Sequence, residues 1–420
     1  MKTQKVLVVG GGAAGFFAAI TCAETYPQAE VHLFEKSANV LNKVRISGGG
    51  RCNITNALED PAMVASFFPR GEQELIGPLT RFGTKDTIEW FTSRGVELYA
   101  QDDNRVFPKT NTSKKVLDTL IDAAEKAGVI LTTKMVVDSI TPPSEETNNK
   151  WKVVLYNDTE VLCDRVILAA GGAPQMWNSL SKIGIEINKP VPALFSFVID
   201  ERFVDGLAGI SFNDVNIQID KYKRLKMKGD VLFTHWGISG PAILKLSSLA
   251  ARKLSRLNYN FTLKIDWLPD FPEERLQKEL IRFRQVYSRK RLETERLFNI
   301  PGKLWARIVE KAEIPSRIRW VGASMEHINS LVRVLKQTEI EITGKNPNKD
   351  EFVLCGGVDL KEVNFKTMES TRFPGLYFAG EVLDIDGLTG GFNLQAAWTT
   401  GYLAGKAVLE NVEFPQQTEE

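Results

Sequence analysis

The chain has 420 residues, 53 Lys/Arg against 52 Asp/Glu, and is 43% hydrophobic and 25% charged. That length holds two or three domains with sizeable cores, and the composition excludes a disordered or fibrous chain, while a net charge of +1 gives no global pointer to nucleic acid or an anionic surface. The four cysteines (Cys22, Cys52, Cys163, Cys355) lack CxxC spacing, so reduced cytosolic thiols are expected and neither a disulfide framework nor a metal site.

A strand is predicted almost at once, leaving no room for a signal peptide, and no apolar run reaches membrane-spanning length; a cytoplasmic, non-membrane protein is expected. That strand (Val6, Leu7, Val8, Val9) enters Gly10, Gly12 and Gly15, and a small-residue segment with Ala13, Ala14, Ala18 and Ala19 leaves as a helix. Glu35 closes a second strand, VHLFEK, about twenty residues after the last glycine, the spacing of a dinucleotide fingerprint. Gly10 permits the tight turn, Gly12 lets backbone approach a pyrophosphate, and Gly15 lets helix and strand touch. The helix N-terminus offers free N–H groups to phosphate, and Glu35 can accept from a ribose hydroxyl.

Residues 41–56, LNKVRISGGGRCNITN, form a loop with three consecutive glycines and with Arg45, Arg51, Asn53 and Asn56 as donors around them. Such a run suits close approach to a ligand, here a cofactor pyrophosphate or flavin. Residues 80–127 read as two helices around the β-like ELYAQDDNRVFP, the second starting near Ser113. VILTTKMVVDSI, WKVVLYN and EVLCDRVILAAGG read as strands, the last ending in Ala169-Ala170-Gly171-Gly172, small enough for a dinucleotide to lie against the backbone.

Composition shifts at Pro190-Val191-Pro192. From there to about 350 the dinucleotide pattern is interrupted. Residues 193–240 and 318–345 alternate like antiparallel strands (LFSFVID, NDVNIQID, HINSLVRV, TEIEIT), and 246–316 reads as helical and locally basic. The expected plan is an α/β Rossmann-like dinucleotide-binding domain (1–190 and 349–420) interrupted by an insert of antiparallel strands (191–245 and 317–348) and a helical subdomain (246–316).

The first pattern resumes with the strand Leu376-Tyr377-Phe378-Ala379-Gly380, a loop containing Gly387, Gly390 and Gly391, and a helix from Asn393. An N-terminal fingerprint with a C-terminal strand–Gly–acid–loop–helix is how two-dinucleotide-binding-domain flavoproteins wrap FAD. Gly380-Glu381 reaches the ribityl and second phosphate, and the helix near Phe392-Asn393 turns its positive end to the flavin N1–C2=O edge. With no second GxGxxG, no separate NAD(P)H domain is visible, and NAD(P)H is expected to bind transiently.

KVLVVGGGAAG, KVRISGGGRCNITN, LFTHWGISGPAIL, CGGVDLKEVNFKTMES and GLYFAGEVLDIDGLTGGFNLQAAWTTG, in that order, resemble the BaiN-like (YhiN-like) flavoprotein family over nearly the whole chain. The resemblance implies a glutathione-reductase-type FAD domain with a barrel and helical insert. It also implies reduction of activated C=C bonds, the family's linked activities including steroid enones and a uridine in ribosomal RNA. After Ala170-Gly171-Gly172 the family usually continues with a longer Ser/Pro/Gly-rich loop, and here APQMWNSLSKIGIEI is shorter. The expected FAD-binding set is Gly10, Gly12, Ala13, Ala14, Gly15, Glu35 and Lys36, with Lys43, Gly50, Arg51, Cys52 and Asn53 from the glycine loop. Val137, Ala170, Gly171 and Gly172 follow, then Gly380, Glu381, Asp386, Gly391, Phe392, Asn393 and Leu394.

Reducing a C=C bond needs hydride at one carbon, a proton at the other and a donor on the carbonyl. His235 is the candidate proton donor or substrate ligand and Arg45 the candidate for fixing a carbonyl. His32, in a parallel-type strand, and His327, in a barrel-like strand, are expected to be structural. Cys52, beside Arg51, would carry a lowered pKa in such a site and could be redox-active. Asp384 and Asp386 are expected to hold the loop or ribityl chain. Two alternatives stand beside a small-molecule C=C reductase. One is an RNA uridine reductase gripping phosphates through Arg282, Arg284, Arg289 and Lys290. The other is a small-amine oxidase that makes peroxide without NAD(P)H. Oligomeric state stays open.

Overall fold

The structure, a computed structural model, describes residues 3–295, 297–346 and 353–412. The chain divides into two compact units, residues 1–190 with 354–420, and residues 191–353.

In the first unit, β1 (Lys5–Val9) leads through α1 (Ala13–Thr25) to β2 (Glu30–Phe34). Later come α2 (Lys114–Lys126), β3 (Ile130–Thr132), β4 (Arg165–Leu168) and α3 (Pro174–Lys182). β1 pairs in parallel with β2 on one side and β4 on the other. Val6 to Val9 are all buried, as a parallel strand covered on both faces requires. Two predicted strands are each divided. VILTTKMVVDSI breaks at Lys134, whose φ is +59°, into β3 and an antiparallel strand Val137–Thr141. EVLCDRVIL breaks at Asp164 into Glu160–Cys163 and β4, because each half pairs in a different sheet.

The second unit is a closed six-stranded barrel with helices. Its elements include β5 (Phe197–Ile199), β6 (Ser211–Ile219), β7 (Lys226–Thr234), β8 (Gly237–Ser239), β9 (Phe261–Asp266), α4 (Glu273–Val286), α5 (Gly302–Lys311), α6 (Met325–Lys336) and β10 (Thr338–Lys345). The barrel order is β5-β8-β7-β6-β9-β10. Two expectations are corrected. β9 lies inside the stretch read as helical; Phe261, Leu263 and Ile265 alternate inward, and a period of two decides the matter. HINSLVRV belongs to α6 rather than to a strand. Ile328, Leu331, Val332 and Leu335 share one helical face, and the Ser324 hydroxyl accepts from the His327 N–H at 3.1 Å as an N-cap. His327 is therefore a first-turn helical residue.

Back in the first unit, β11 (Val363–Asn364), β12 (Glu369–Ser370) and β13 (Leu376–Phe378) complete a seven-stranded sheet of order β11-β12-β13-β4-β1-β2-β3, and α7 (Phe392–Ala407) follows. β13 runs parallel to β4. The chain thus moves to opposite sides of β1, which opens a crevice beyond the C-terminal ends of β1 and β4, the usual ligand position in such sheets. Each unit has its own apolar core.

Candidate functional site

At this crevice the backbones leave almost no space between strands. Gly10 has φ +110°, and a Cβ there would stand 2.4 Å from the Ala169 carbonyl oxygen. A Cβ at Gly15 would lie 1.8 Å from the Gly10 carbonyl oxygen, so only glycine lets α1 start this close to β1. Gly12 differs: the position its Cβ would take has nothing within 4 Å. That open space faces the N-terminus of α1, which has no side-chain cap and no acid in its first turn, Ala13 included. Free N–H groups and empty volume together make an anion seat. Glu35, at the end of β2, is fixed by the Gly11 N–H (2.8 Å) and the Ser37 N–H (2.7 Å), and each oxygen keeps a lone pair for a ribose hydroxyl.

A second helix N-terminus stands beside the first. A Cβ at Gly401 would lie 2.5 Å from the Ala14 carbonyl oxygen, and one at Gly405 would lie 2.4 Å from that of Ala18. α7 therefore runs parallel to α1 in backbone contact, and its N-terminus extends eight residues, roughly 12 Å, past the start of α1 at about 1.5 Å per residue. Like α1, α7 has no side-chain cap and no acid in its first turn. Two parallel positive ends set apart by this stagger suit a ligand with a phosphate at one place and a partly anionic ring system at another.

The loops between these ends are fastened to one another by residues read from the sequence as free donors. Asn53, with its amide oriented to satisfy its neighbours, accepts from the Gly391 N–H at 2.9 Å and donates to the Thr55 carbonyl at 3.0 Å. Asn56 donates to the Gly390 carbonyl at 3.0 Å. Their side chains brace the Gly390–Gly391 turn instead of facing outward. Asn393 also turns back, accepting from and donating to the backbone of Gly387 at 2.8 Å each way. Phe392 stacks on Phe67 with centroids 4.3 Å apart, which leaves its backbone N–H as the group at the helix end.

Asp386 is fully buried and paired with Arg70, the Nε–Oδ1 distance being 2.5 Å and a second contact running from Nη2 to Oδ2. Arg70 carries no recognisable sequence signal, since its partner lies more than three hundred positions away. The same segment receives the Leu388 N–H at the Phe67 carbonyl (2.8 Å) and leaves no room for a Cβ at Gly71, which would stand 2.7 Å from Ile385.

Lys43 is ion-paired with Glu381, whose other oxygen accepts from the Leu354 N–H at 3.1 Å. Gly48, Gly49 and Gly50 all have positive φ, and the last two have open space beside them. Arg51 stacks over Phe107 at 4.3 Å and donates to the Gly48 carbonyl at 3.2 Å. Arg45 and Lys36 are exposed and unpaired among the described residues. Ala170 and Gly171 border Gly10 and Glu381 respectively, and a Cβ at Gly172 would stand 2.2 Å from Leu354. Val137 and Leu394 are buried and half-buried. The short loop after Gly172 runs straight into α3, with Pro174 at its first position. His235 is exposed at the turn between β7 and β8, and His32 contacts Glu30 at 2.5 Å.

The structure excludes the alternative of a low-pKa, redox-active Cys52 and agrees with the expectation of a plain reduced thiol. Its thiol is wholly buried, and desolvation outweighs a hydrogen bond to Ser47 and pushes its pKa up to about 12. A protonated, inaccessible thiol is a packing element, not a redox centre.

The open space at Gly12, the fixed Glu35 carboxylate and the staggered uncapped helices fit FAD. Residues 4–407 match the family described as the HI0933-like protein Rossmann domain. The chain is 28% identical over 417 residues to the 3-dehydro-bile acid delta(4,6)-reductase of Clostridium scindens, covering 97% of this chain and 99% of that protein. It is also 28% identical over 415 residues to the ribosomal RNA dihydrouridine synthase of Haemophilus influenzae, covering 96% and 98%. The fold is shared with the 3-ketosteroid delta1-dehydrogenase of Sterolibacterium denitrificans, at TM-score 0.51 and 12% identity over 97% of this chain and 100% of that one. The family match thus bears out the resemblance carried by the motifs, and the chain belongs to the HI0933-like Rossmann family, as a flavoprotein oxidoreductase with an FAD-binding fold.

Proposed function

We propose that the protein reduces a carbon–carbon double bond conjugated to a carbonyl, using FAD with NAD(P)H as electron donor. The observation that carries this reading is the uncapped α7 N-terminus, staggered from the phosphate seat at α1. FAD supplies the hydride chemistry. The chain's own residues supply the environment: the α7 N–H groups and dipole favour the negative charge that reduction brings to the ring edge. The Glu35 carboxylate holds the ribose, and the Gly10–Gly15 turn seats the pyrophosphate. Arg45, exposed and unpaired, is the proposed group for polarising the substrate carbonyl, and His235 the proposed proton donor. The likeness to the bile acid delta(4,6)-reductase supports this class of substrate.

Anaerobic mixing of the yellow protein with NADH or NADPH tests the reading. Rapid bleaching of the flavin band by either, and its return with an enone acceptor, is the expected result. No bleaching, together with peroxide formed from amines in air, overturns it. Arg45→Ala should raise KM or lower kcat for the acceptor without slowing bleaching.

A second reading, that the double bond belongs to a uracil base in RNA, is favoured by likeness to two ribosomal RNA dihydrouridine synthases over nearly the whole chain. The C5=C6 bond of uracil is conjugated to a carbonyl, so the same site chemistry serves. Dihydrouridine appearing in RNA incubated with enzyme and NAD(P)H would select this reading.

A further inference from the structure

Of the basic residues that the sequence nominated for RNA, three are already engaged. Arg282 pairs with Glu279 at 2.9 Å, Arg284 donates to the Ala323 carbonyl at 3.1 Å, and Lys290 pairs with Glu295 at 3.2 Å. A different cluster in the same unit forms no ion pair among the described residues. The Leu292 N–H donates to the Ile318 carbonyl and the Trp320 N–H to the Lys290 carbonyl, both at 3.0 Å. These two bonds flank Arg291 and Arg319, which face each other in an antiparallel bridge. A pair flanked in this way is the non-hydrogen-bonded type, in which side chains approach most closely on one face. Leu292 and Trp320, the neighbours that alternate with them, are fully buried, so both arginines are carried on the outer face. Arg289 and Arg317 stand two residues before each of them, also exposed.

None of these four guanidinium groups has an acidic side chain in ion-pairing reach among the described residues. The nearby Glu293 carboxylate accepts from the Arg317 backbone N–H at 3.2 Å. Like charges directly opposite across a strand pair destabilise the free protein. A chain with 52 acids could have placed one there, and instead two arginines face each other. Arginine rather than lysine presents a planar fork matched to phosphate oxygens. The facing pair, with exposed Arg289 and Arg317 on the turns two residues before it, gathers four cations within a few residues of one bridge, enough for more than one phosphate.

We propose that the outer face around Arg291 and Arg319, with Arg289 and Arg317, binds the phosphate backbone of RNA. This rests on the RNA reading of the proposed function and specifies where that substrate is held. The test uses FAD-loaded protein and ribosomal RNA stripped of protein, by filter binding between about 50 and 200 mM salt. Wild type should bind, with affinity falling steeply as salt rises. R291E/R319E should bind at least about tenfold more weakly, with a log–log salt slope shallower by roughly 1.4 for two lost single-strand phosphate contacts. R319E alone, which puts an acid opposite Arg291, should melt no lower than wild type while binding RNA more weakly. A merely structural arginine would not separate the two readouts. K221E/K223E, a reversal of equal size at another exposed turn of this unit, should leave binding within about twofold.

Equal binding by wild type and R291E/R319E overturns the proposed surface and leaves the RNA reading standing, as does an equal loss in K221E/K223E. No binding of RNA by wild type at low salt removes both, and so does dihydrouridine-free RNA after turnover with bound RNA. Binding to phosphatidylserine vesicles in place of RNA also overturns the proposal.

Discussion

Arg70 is half of a buried ion pair, its side chain 12% exposed against 0% for Asp386. Removing one partner of such a pair leaves an uncompensated charge in a dry site and costs about 3–5 kcal/mol. Arg70→Ala should therefore lower stability by that order in urea unfolding and weaken FAD retention, because Asp386 lies in the loop leading to α7. Arg70→Ala with Asp386→Ala should cost less than the sum of the two single changes, which a double-mutant cycle measures. Cys52 makes the opposite kind of prediction. With its pKa raised to about 12 by burial, it should resist alkylation by iodoacetamide in the folded protein at pH 8 and react once urea unfolds the chain. Alkylation of Cys52 in the folded state, read by mass spectrometry, would contradict this account.

Within the β1–α1 element, two glycines with the same sequence signature do different work. Gly12→Ala meets no atom within 4 Å and adopts an extended N-cap conformation open to alanine, so the variant should fold with near-wild-type circular dichroism. It should nonetheless lose FAD affinity, since the added methyl occupies the phosphate approach. Gly15→Ala would set a methyl 1.8 Å from a backbone carbonyl and should not accumulate as folded protein. Equal behaviour of the two variants would refute the division of labour. α1 and α7 act as one rigid pair because Gly401 and Gly405 allow backbone contact, and this contact fixes the distance between their N-termini.

The whole molecule has two cores, so its unfolding need not be a single two-state transition. Cys22, Cys52 and Cys163 all belong to the first unit, and burial raises each thiol pKa from about 9 to about 12. Above pH 9 the unfolded chain releases these protons while the folded chain keeps them. Stability is therefore fully present below pH 9 and falls as pH rises toward 12, by up to about 1.4 kcal/mol per pH unit for each thiol. Calorimetry from pH 8 to 10.5 should show the transition of the FAD-binding unit moving down, with the barrel unit lagging. Stripping FAD should lower the same transition, because a ligand stabilises the unit that binds it. A single transition that moves as one in both experiments would show the units to be energetically inseparable.

The sequence by itself determined the parts whose information is local. The β1–α1 fingerprint, Glu35 at the end of β2, the break at Pro190 and the Gly-rich entry to α7 each rest on residues within one turn or strand of one another. Local period also contained the signals for β9 and for α6, which were masked by neighbouring helical and strand-like text. What only the tertiary structure decided involves partners far apart in the chain. Asn53, Asn56 and Asn393 look like ligand donors in isolation, and they turn to brace loops because unpaired backbone groups lie within reach. Arg70 acquires its role solely from Asp386, and Arg291 from Arg319. Cys52 looks reactive beside Arg51, yet burial sets its protonation, since desolvation is a property of the surrounding volume and not of the adjacent residue.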